Sequence, residues 1–122
     1  MTDDAELASI SAAIHDEYFD LDRLVHDADR SELRLTIYPG RYRRVWLVET
    51  YRPPVDPLPT PLGELVVRNV VAVTINDDAG IGWFDVGGVA FEPDTSELRL
   101  WSNVPLEILV HVQALDVELV RS

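Results

Sequence analysis

The sequence predicts an α+β domain that is mainly antiparallel β, either a sandwich or a partly closed barrel, with one N-terminal helix. Three observations support this class. Apolar residues follow a helical spacing only near the N-terminus, apolar and polar residues alternate along much of the remaining chain, and one stretch of the sequence occurs twice. The length of 122 residues is that of a single domain, 1–122.

The repeat lies at an offset of 65 residues. FDLDRLVHDADRSELRLT (19–36) aligns without gaps on FDVGGVAFEPDTSELRLW (84–101), and eight of the eighteen positions are identical. Ordinary amino-acid usage would give about one identity by chance. We therefore assign features present in both copies first to the fold, and regard features present in one copy as better candidates for function.

The N-terminal segment is the helix candidate. Asp3 can cap the helix and Glu6 follows three residues later, which is a capping-box arrangement. Leu7, Ile10 and Ile14 fall on one narrow apolar stripe. A single stripe of this width predicts one helix lying on a sheet.

Each copy of the repeat predicts a β-hairpin with its turn at residues 27–31 or 92–96. The apolar positions change phase before the turn, which predicts a bulge at Asp22-Arg23 and at Gly87-Gly88. The expected apolar pairs are Leu24–Leu33, Leu21–Leu35 and Phe19–Ile37 in the first copy, and Val89–Leu98 and Val86–Leu100 in the second.

Further strands are predicted at Tyr42–Tyr51, at Leu65–Ile75 and over residues 106–120, the last with a bulge at Ala114-Leu115. Between the two copies lies a Pro-rich connector, 53–61, with five prolines in nine positions. No sheet interior accepts so many prolines, because each lacks a backbone N–H.

The composition excludes several classes of chemistry. The chain contains no cysteine, which excludes disulfides and thiolate sites, and no lysine, which excludes Schiff-base chemistry and a P-loop. There is no signal-peptide pattern and no apolar run long enough to cross a bilayer. We therefore expect a cytoplasmic protein with no membrane partner.

The formal net charge is −12, and it is unevenly distributed. Residues 1–32 carry ten acids and two arginines, whereas residues 34–52 carry five arginines and one acid. Such a chain is disfavoured for nucleic-acid binding, because phosphate contacts need a positive surface. The expected partner is a protein or a second copy, since the two oppositely charged segments and the apolar strand edges favour self-association into a homo-oligomer.

One constellation has residue types suited to a metal or ligand site, and all of it lies in the first copy. Its members are His15, Asp16, Asp20, Asp22 and His26. Their spacing matches no established metal motif, so we predict no metal, no cofactor and no catalytic residue. Asp20 recurs in the second copy, whereas His15 and His26 do not, and we expect His26 to be half-buried and hydrogen-bonded.

The stretch HDEYFDLDRLVHDADRSELRL (15–35) resembles small bacterial proteins in which an HDxxFDLDxLxHD-like stretch opens a β-rich domain of unknown function. The resemblance implies no activity. From the charge asymmetry, we expect a non-catalytic binding module that presents an acidic face to a protein partner, as an immunity or antitoxin-like protein would. The alternative is a small metal-dependent hydrolase or a ligand-binding barrel that uses the first-half His and Asp residues.

Overall fold

The structure is a computed structural model that describes residues 1–40, 60–78, 80 and 82–122. These residues form one α-helix and eight strands. The elements are α1 (Asp4–Ile14), β1 (Tyr18–Asp20), β2 (Val25–Asp27), β3 (Glu32–Tyr38), β4 (Gly63–Asp77), β5 (Trp83–Asp85), β6 (Gly88–Glu92), β7 (Glu97–Trp101) and β8 (Leu106–Arg121). The predicted strand at Tyr42–Tyr51 and most of the Pro-rich connector lie outside the described residues.

The strands form one antiparallel sheet in the order β5-β1-β3-β4-β8-β7-β6, with β2 also paired to β3. The sheet is strongly curled into a half-barrel, which confirms the predicted mainly antiparallel α+β class. Only Val86 and Gly87 separate β5 from β6, so the two ends of the strand order are successive segments of the same chain. The curl follows from this continuity, because both ends of the sheet must meet at one place.

The inner face of the curled sheet is apolar and closely filled. Leu35, Ile37 and Ile108 are 2% exposed or less. A cavity lined by the inward side chains measures about 10 Å³, close to the least that one water molecule needs. Within the described residues, the interior is therefore a packed core and not a ligand chamber.

Helix α1 begins and packs as its sequence predicts. The Asp3 carboxylate accepts a hydrogen bond of 2.8 Å from the backbone N–H of Glu6, which satisfies one free donor of the first turn. Leu7 and Ile14 are buried, and the helix lies against β6 and β8. It is too short to span a membrane, and no other helix in the described part of the chain meets that requirement.

Residues that align at the offset of 65 also occupy equivalent positions in the sheet. His26 pairs with Leu33 between β2 and β3, and Phe91 pairs with Leu98 between β6 and β7. The two strand pairs therefore have the same register relative to the sequence alignment. The identical residues of the SELRL motif have the same orientation in both copies, with the leucines on the inner face and Glu and Arg on the outer face.

The predicted length of the bulge was wrong, although its position was close. Phe19 pairs with Ile37 as predicted, but Leu33 pairs with His26 and not with Leu24. The interruption contains a 3-10 turn at Leu21–Arg23, and this turn takes up two more residues than a single-residue bulge. An interruption longer by two residues produces the same phase change, so the alternation of apolar residues could not distinguish them.

The second copy shows the same shift, with Val89 opposite Leu100 and not opposite Leu98. Gly87 and Gly88 are needed here for space and not for an unusual φ angle. A Cβ added at either position would lie 2.5–2.6 Å from the indole ring of Trp101. The first copy has Thr36 in place of Trp101, which explains why Asp22 and Arg23 fit where the second copy needs glycines.

β4 and β8 pair along most of their length, and the predicted phase change near Ala114-Leu115 is confirmed. Arg68 lies opposite Asp116, whereas Val70 lies opposite Val112. Residues 113–115 therefore face only Asn69, which adopts a left-handed φ of 59°. The extra residues return the apolar side chains of both strand halves to the inner face.

Candidate functional site

His15 lies at the C-terminal end of α1 and contacts the second copy of the repeat. Its Nδ1 is 3.1 Å from the carbonyl oxygen of Gly87, and its Nε2 is 3.5 Å from the carboxylate of Asp16. Both side chains are more than half exposed. His15 therefore ties the end of the helix to the β5–β6 connection.

Asp20 is buried and holds the 3-10 turn in place. Its carboxylate accepts a 3.0 Å hydrogen bond from the backbone N–H of Asp22 and lies 3.3 Å from the Arg23 guanidinium. Burial raises the pKa of Asp20, and the Asp22 N–H and Arg23 oppose this rise. The Asp22 side chain is exposed. Asp20 is thus a capping residue, and Asp22 contributes the backbone N–H that Asp20 caps.

His26 lies far from this group, opposite Leu33 near the turn between β2 and β3. It is exposed and lines a shallow recess of about 270 Å³ with Ser31, Asn69 and Gln113. The prediction of a half-buried His26 was wrong, because β2 lies at the rim of the sheet, where it pairs only with β3.

The candidate residues therefore do not converge. In the part of the chain that the structure describes, no three His, Asp or Glu side chains are grouped closely enough to hold a metal ion. His15 lies beside Gly87 and His26 lies beside the recess, so the two histidines contact different parts of the molecule.

A polar cleft of about 590 Å³ lies beside the β7–β8 loop, and the sequence did not reveal it. Asp85 holds this loop, because its carboxylate accepts a 2.6 Å hydrogen bond from Ser102 and further bonds from Asn103. Along one wall, the Arg99 guanidinium lies 4.7 Å from the centre of the Trp101 ring. Asp85 recurs in both copies, which is why sequence reasoning assigned it to the fold alone.

Arginine side chains neutralise acids along the outer face of the sheet. Arg34 bonds to Glu64, and the equivalent Arg99 bonds to Glu107, so β3–β4 and β7–β8 carry matching ion pairs. Arg68 lies 3.1 Å from Glu118 and 3.5 Å from Asp116 across β4 and β8. Glu64, Glu107, Asp116 and Glu118 thus have cationic partners within the chain.

The start of α1 lies toward the turn between β6 and β7. His15 contacts Gly87, and four residues earlier the Ser11 hydroxyl accepts a 3.0 Å hydrogen bond from the N–H of Val89. Four helical residues rise about 6 Å and two strand residues about 6.6 Å, so helix and strand run in opposite directions side by side. The same spacing places Leu7 beside Phe91; Leu7 belongs to the core, and the partly buried Phe91 packs against it. The helix start is held on β8, where Thr2 bonds to Leu115 and Val117, and the β6–β7 turn also reaches β8, where the carbonyl of Ser96 accepts a 3.0 Å bond from the N–H of Val112.

We call the carboxylates at this place the acidic surface. It comprises Asp3, Asp4 and Glu6 of the helix start and Glu92, Asp94 and Glu97 of the β6–β7 turn. None of these six has an ion pair with an arginine of the described residues. Local bonds engage only two, since Asp3 caps the helix and Glu92 accepts a 3.2 Å bond from the N–H of Asp94. Negative charge is consequently concentrated at this end of the molecule, and no arginine among the described residues compensates it.

Within the acidic surface, Glu92 lies directly opposite Glu97 across β6 and β7. The equivalent pair in the first copy, Asp27 and Glu32, has arginine partners: Arg30 lies 3.7 Å from Asp27, and Arg34 bonds to Glu32. Thr95 replaces Arg30 in the second copy. Two like charges placed opposite each other destabilise a strand pair, so this arrangement favours the binding of a cation that the described residues do not supply.

Comparisons of the chain with protein-family models, with curated proteins and with solved structures find no match.

Proposed function

We propose that this protein is a non-catalytic binding module that receives a basic segment of a partner protein at the acidic surface. The observation that carries the proposal is the pair of Glu92 and Glu97, which lie opposite each other without an arginine partner among the described residues. The acids of the helix start add to the negative potential at the same end. Such a surface steers positively charged partners and increases their association rate.

The first copy of the repeat indicates which cation fits this site. There, Arg30 and Arg34 neutralise the equivalent pair, Asp27 and Glu32. An arginine from the partner would supply the positive charge that Arg30 provides in the first copy and that Thr95 lacks. Arginine suits the site better than lysine, because its planar guanidinium can bond to two carboxylates at once.

The proposal also accounts for what the other polar residues do. Asp20 and Asp85 hold a turn and a loop, and His15 holds the helix end, so their side chains are already engaged in the fold. Nucleic acid is not the proposed partner, because phosphates would be repelled by this surface. We propose the cytoplasm as the location, as the sequence predicts, and fractionation of cells that express the protein tests this.

The direct test is binding of a fluorescent arginine-rich peptide, measured by anisotropy at low ionic strength. The double variant Glu92→Gln/Glu97→Gln should bind about tenfold more weakly, which corresponds to about 1.4 kcal/mol. Asp22→Asn/Asp78→Asn is the matched control, since it removes the same charge from two exposed carboxylates elsewhere. An equal loss of affinity in both variants would show that the peptide responds to net charge alone, and the proposal would then be abandoned.

A second variant supplies the missing arginine within the chain. Thr95→Arg reproduces Arg30 of the first copy, and it should weaken peptide binding because the new guanidinium occupies the site. Thr60→Arg, at an exposed position outside the strands, adds the same charge and should have a much smaller effect. If Thr60→Arg reduces the affinity as much as Thr95→Arg, the acidic surface is not the binding site.

A further inference from the structure

The last part of β4 extends beyond its neighbour β3. We call residues Val71–Asp77 the β4 arm. β3 pairs with β4 only between Gly63 and Val67, whereas β8 pairs with the arm from Ala72 to Asp77. One edge of the arm is therefore bonded to β8, and its other edge has no strand partner among the described residues.

This free edge lacks the features that usually protect an edge strand. Residues 71–76 read VAVTIN and contain no charge, proline or glycine. Val71 is 52% exposed and Ile75 is 42% exposed, and Val71 lies at a register shift where no residue of β8 is opposite it. Natural proteins protect an exposed strand edge with charges, prolines or a covering segment, because such an edge otherwise pairs with another strand.

β8 likewise extends beyond its neighbour β7, which pairs with it only up to His111. This later part of β8 is protected in two ways. Thr2 covers it, since its N–H donates a 2.8 Å bond to the Leu115 carbonyl and its hydroxyl accepts a 2.8 Å bond from the N–H of Val117. This end also carries Asp116 and Glu118. The contrast between the two strand ends indicates that the described residues leave the β4 arm open for a partner.

We infer that the β4 arm pairs with the β4 arm of a second copy, antiparallel about a two-fold axis at Val73. In this register Val71 lies opposite Ile75 of the second copy, and Ala72 lies opposite Thr74. The two most exposed apolar side chains of the arm therefore cover each other. Such an isologous contact closes after two chains.

The charge of the chain points to the same partner. Each copy carries −12, so two copies repel each other over most of their surface. The β4 arm is neutral from Val71 to Asn76, and in the proposed register Asp77 lies opposite Asn69 of the second copy rather than another acid. The neutral edge is thus a place where two acidic chains can approach. This dimer is independent of the acidic surface and of the proposed function.

Sedimentation equilibrium of the full chain tests the dimer. The wild type should show twice the chain mass of 13.8 kDa, and Val71→Lys/Ile75→Lys should show the single mass with an unchanged circular dichroism spectrum. Val25→Lys/Val120→Lys is the control, because these residues are 54% and 44% exposed on other strands. It should remain dimeric. A monomeric wild type, or a control that dissociates as the arm variant does, would overturn the inference.

Cross-linking through an introduced cysteine tests the register. The chain has no cysteine of its own, so only the introduced thiol can form a disulfide. A single Val73→Cys variant places two thiols next to each other on the two-fold axis, within reach of a disulfide. Mild oxidation should convert this variant to a covalent dimer and leave Val25→Cys largely uncoupled. Equal or faster coupling of Val25→Cys would place the contact on β2 and would contradict the register.

Discussion

Phe19 and Phe84 lie directly opposite each other in the β1–β5 pair, with ring centres 5.7 Å apart and ring planes at 28°. They are equivalent residues of the repeat, and both are almost completely buried. An antiparallel pair of equivalent residues implies a local two-fold axis between them. The matching ion pairs Arg34–Glu64 and Arg99–Glu107 fit the same axis. The two copies thus meet at one aromatic contact on this side of the sheet.

The aromatic contact should be energetically coupled. Phe19→Leu and Phe84→Leu should each lower the free energy of unfolding, and the double variant should lose less than the sum by about 0.5–1.5 kcal/mol, because either single change already removes the ring contact. Urea unfolding measures all four proteins. Phe19→Leu combined with Phe91→Leu is the control and should be additive within about 0.5 kcal/mol. Additivity in both pairs would mean that the stacked rings contribute only their burial.

Gly88 is needed because of Trp101. Gly88→Ala should destabilise the chain by about 1–3 kcal/mol, since the new Cβ would lie 2.5 Å from the indole ring. Trp101→Thr restores the residue that the first copy has at this place. In the Trp101→Thr background, Gly88→Ala should lower the stability much less, which thermal unfolding measures. An equal loss of stability in both backgrounds would mean that the backbone conformation, and not the indole ring of Trp101, requires glycine at this position.

The buried Asp20 predicts a pH dependence of stability. Its pKa is raised above 3.8 in the folded state, so above that pH the native state binds more protons at this group than the unfolded state does. The stability that Asp20 contributes therefore falls as pH rises from 3.8 through its folded pKa. Asp20→Asn keeps an acceptor for the Asp22 N–H and removes the titration. The free energy of unfolding of the wild type minus that of the variant should decrease over this window, and an increase would contradict the assignment.

The first-half histidines should not form a metal site. Zinc or manganese added to the purified protein should leave the melting temperature unchanged, because His15 and His26 lie at separate places. A rise in the melting temperature that disappears in His15→Ala/His26→Ala would show that the two residues converge on an ion after all.

Much of the fold could be predicted from the sequence, because apolar periodicity and capping are local signals. The helix start at Asp3 and the phase changes near Asp22 and Ala114 all follow from residues close together in the chain. The length of the first interruption could not be predicted. A bulge of one residue and the 3-10 turn at Leu21–Arg23 give the same alternation of inward and outward side chains.

The candidate site was predicted less well, because it depends on contacts distant in sequence. Asp85 and Asn103 meet only through the β7–β8 loop, and Glu92 opposes Glu97 only in the observed register. The first-half histidines are residue types that can bind a metal, yet residue type does not determine which side chains converge. The comparison of the two copies was informative, since Thr95 in place of Arg30 is visible in the sequence alone.

Mapping a bound arginine-rich peptide by NMR shows directly whether the acidic surface is the binding site. Backbone amide shifts of the isotopically labelled protein would be followed as the peptide is added at low ionic strength. We expect the largest shifts at residues 3–7 and 91–97, which carry the acidic surface, and small shifts at the equivalent turn of 27–31. Shifts spread over all exposed carboxylates, or largest at 15–26, would contradict the assignment of the acidic surface as the binding site.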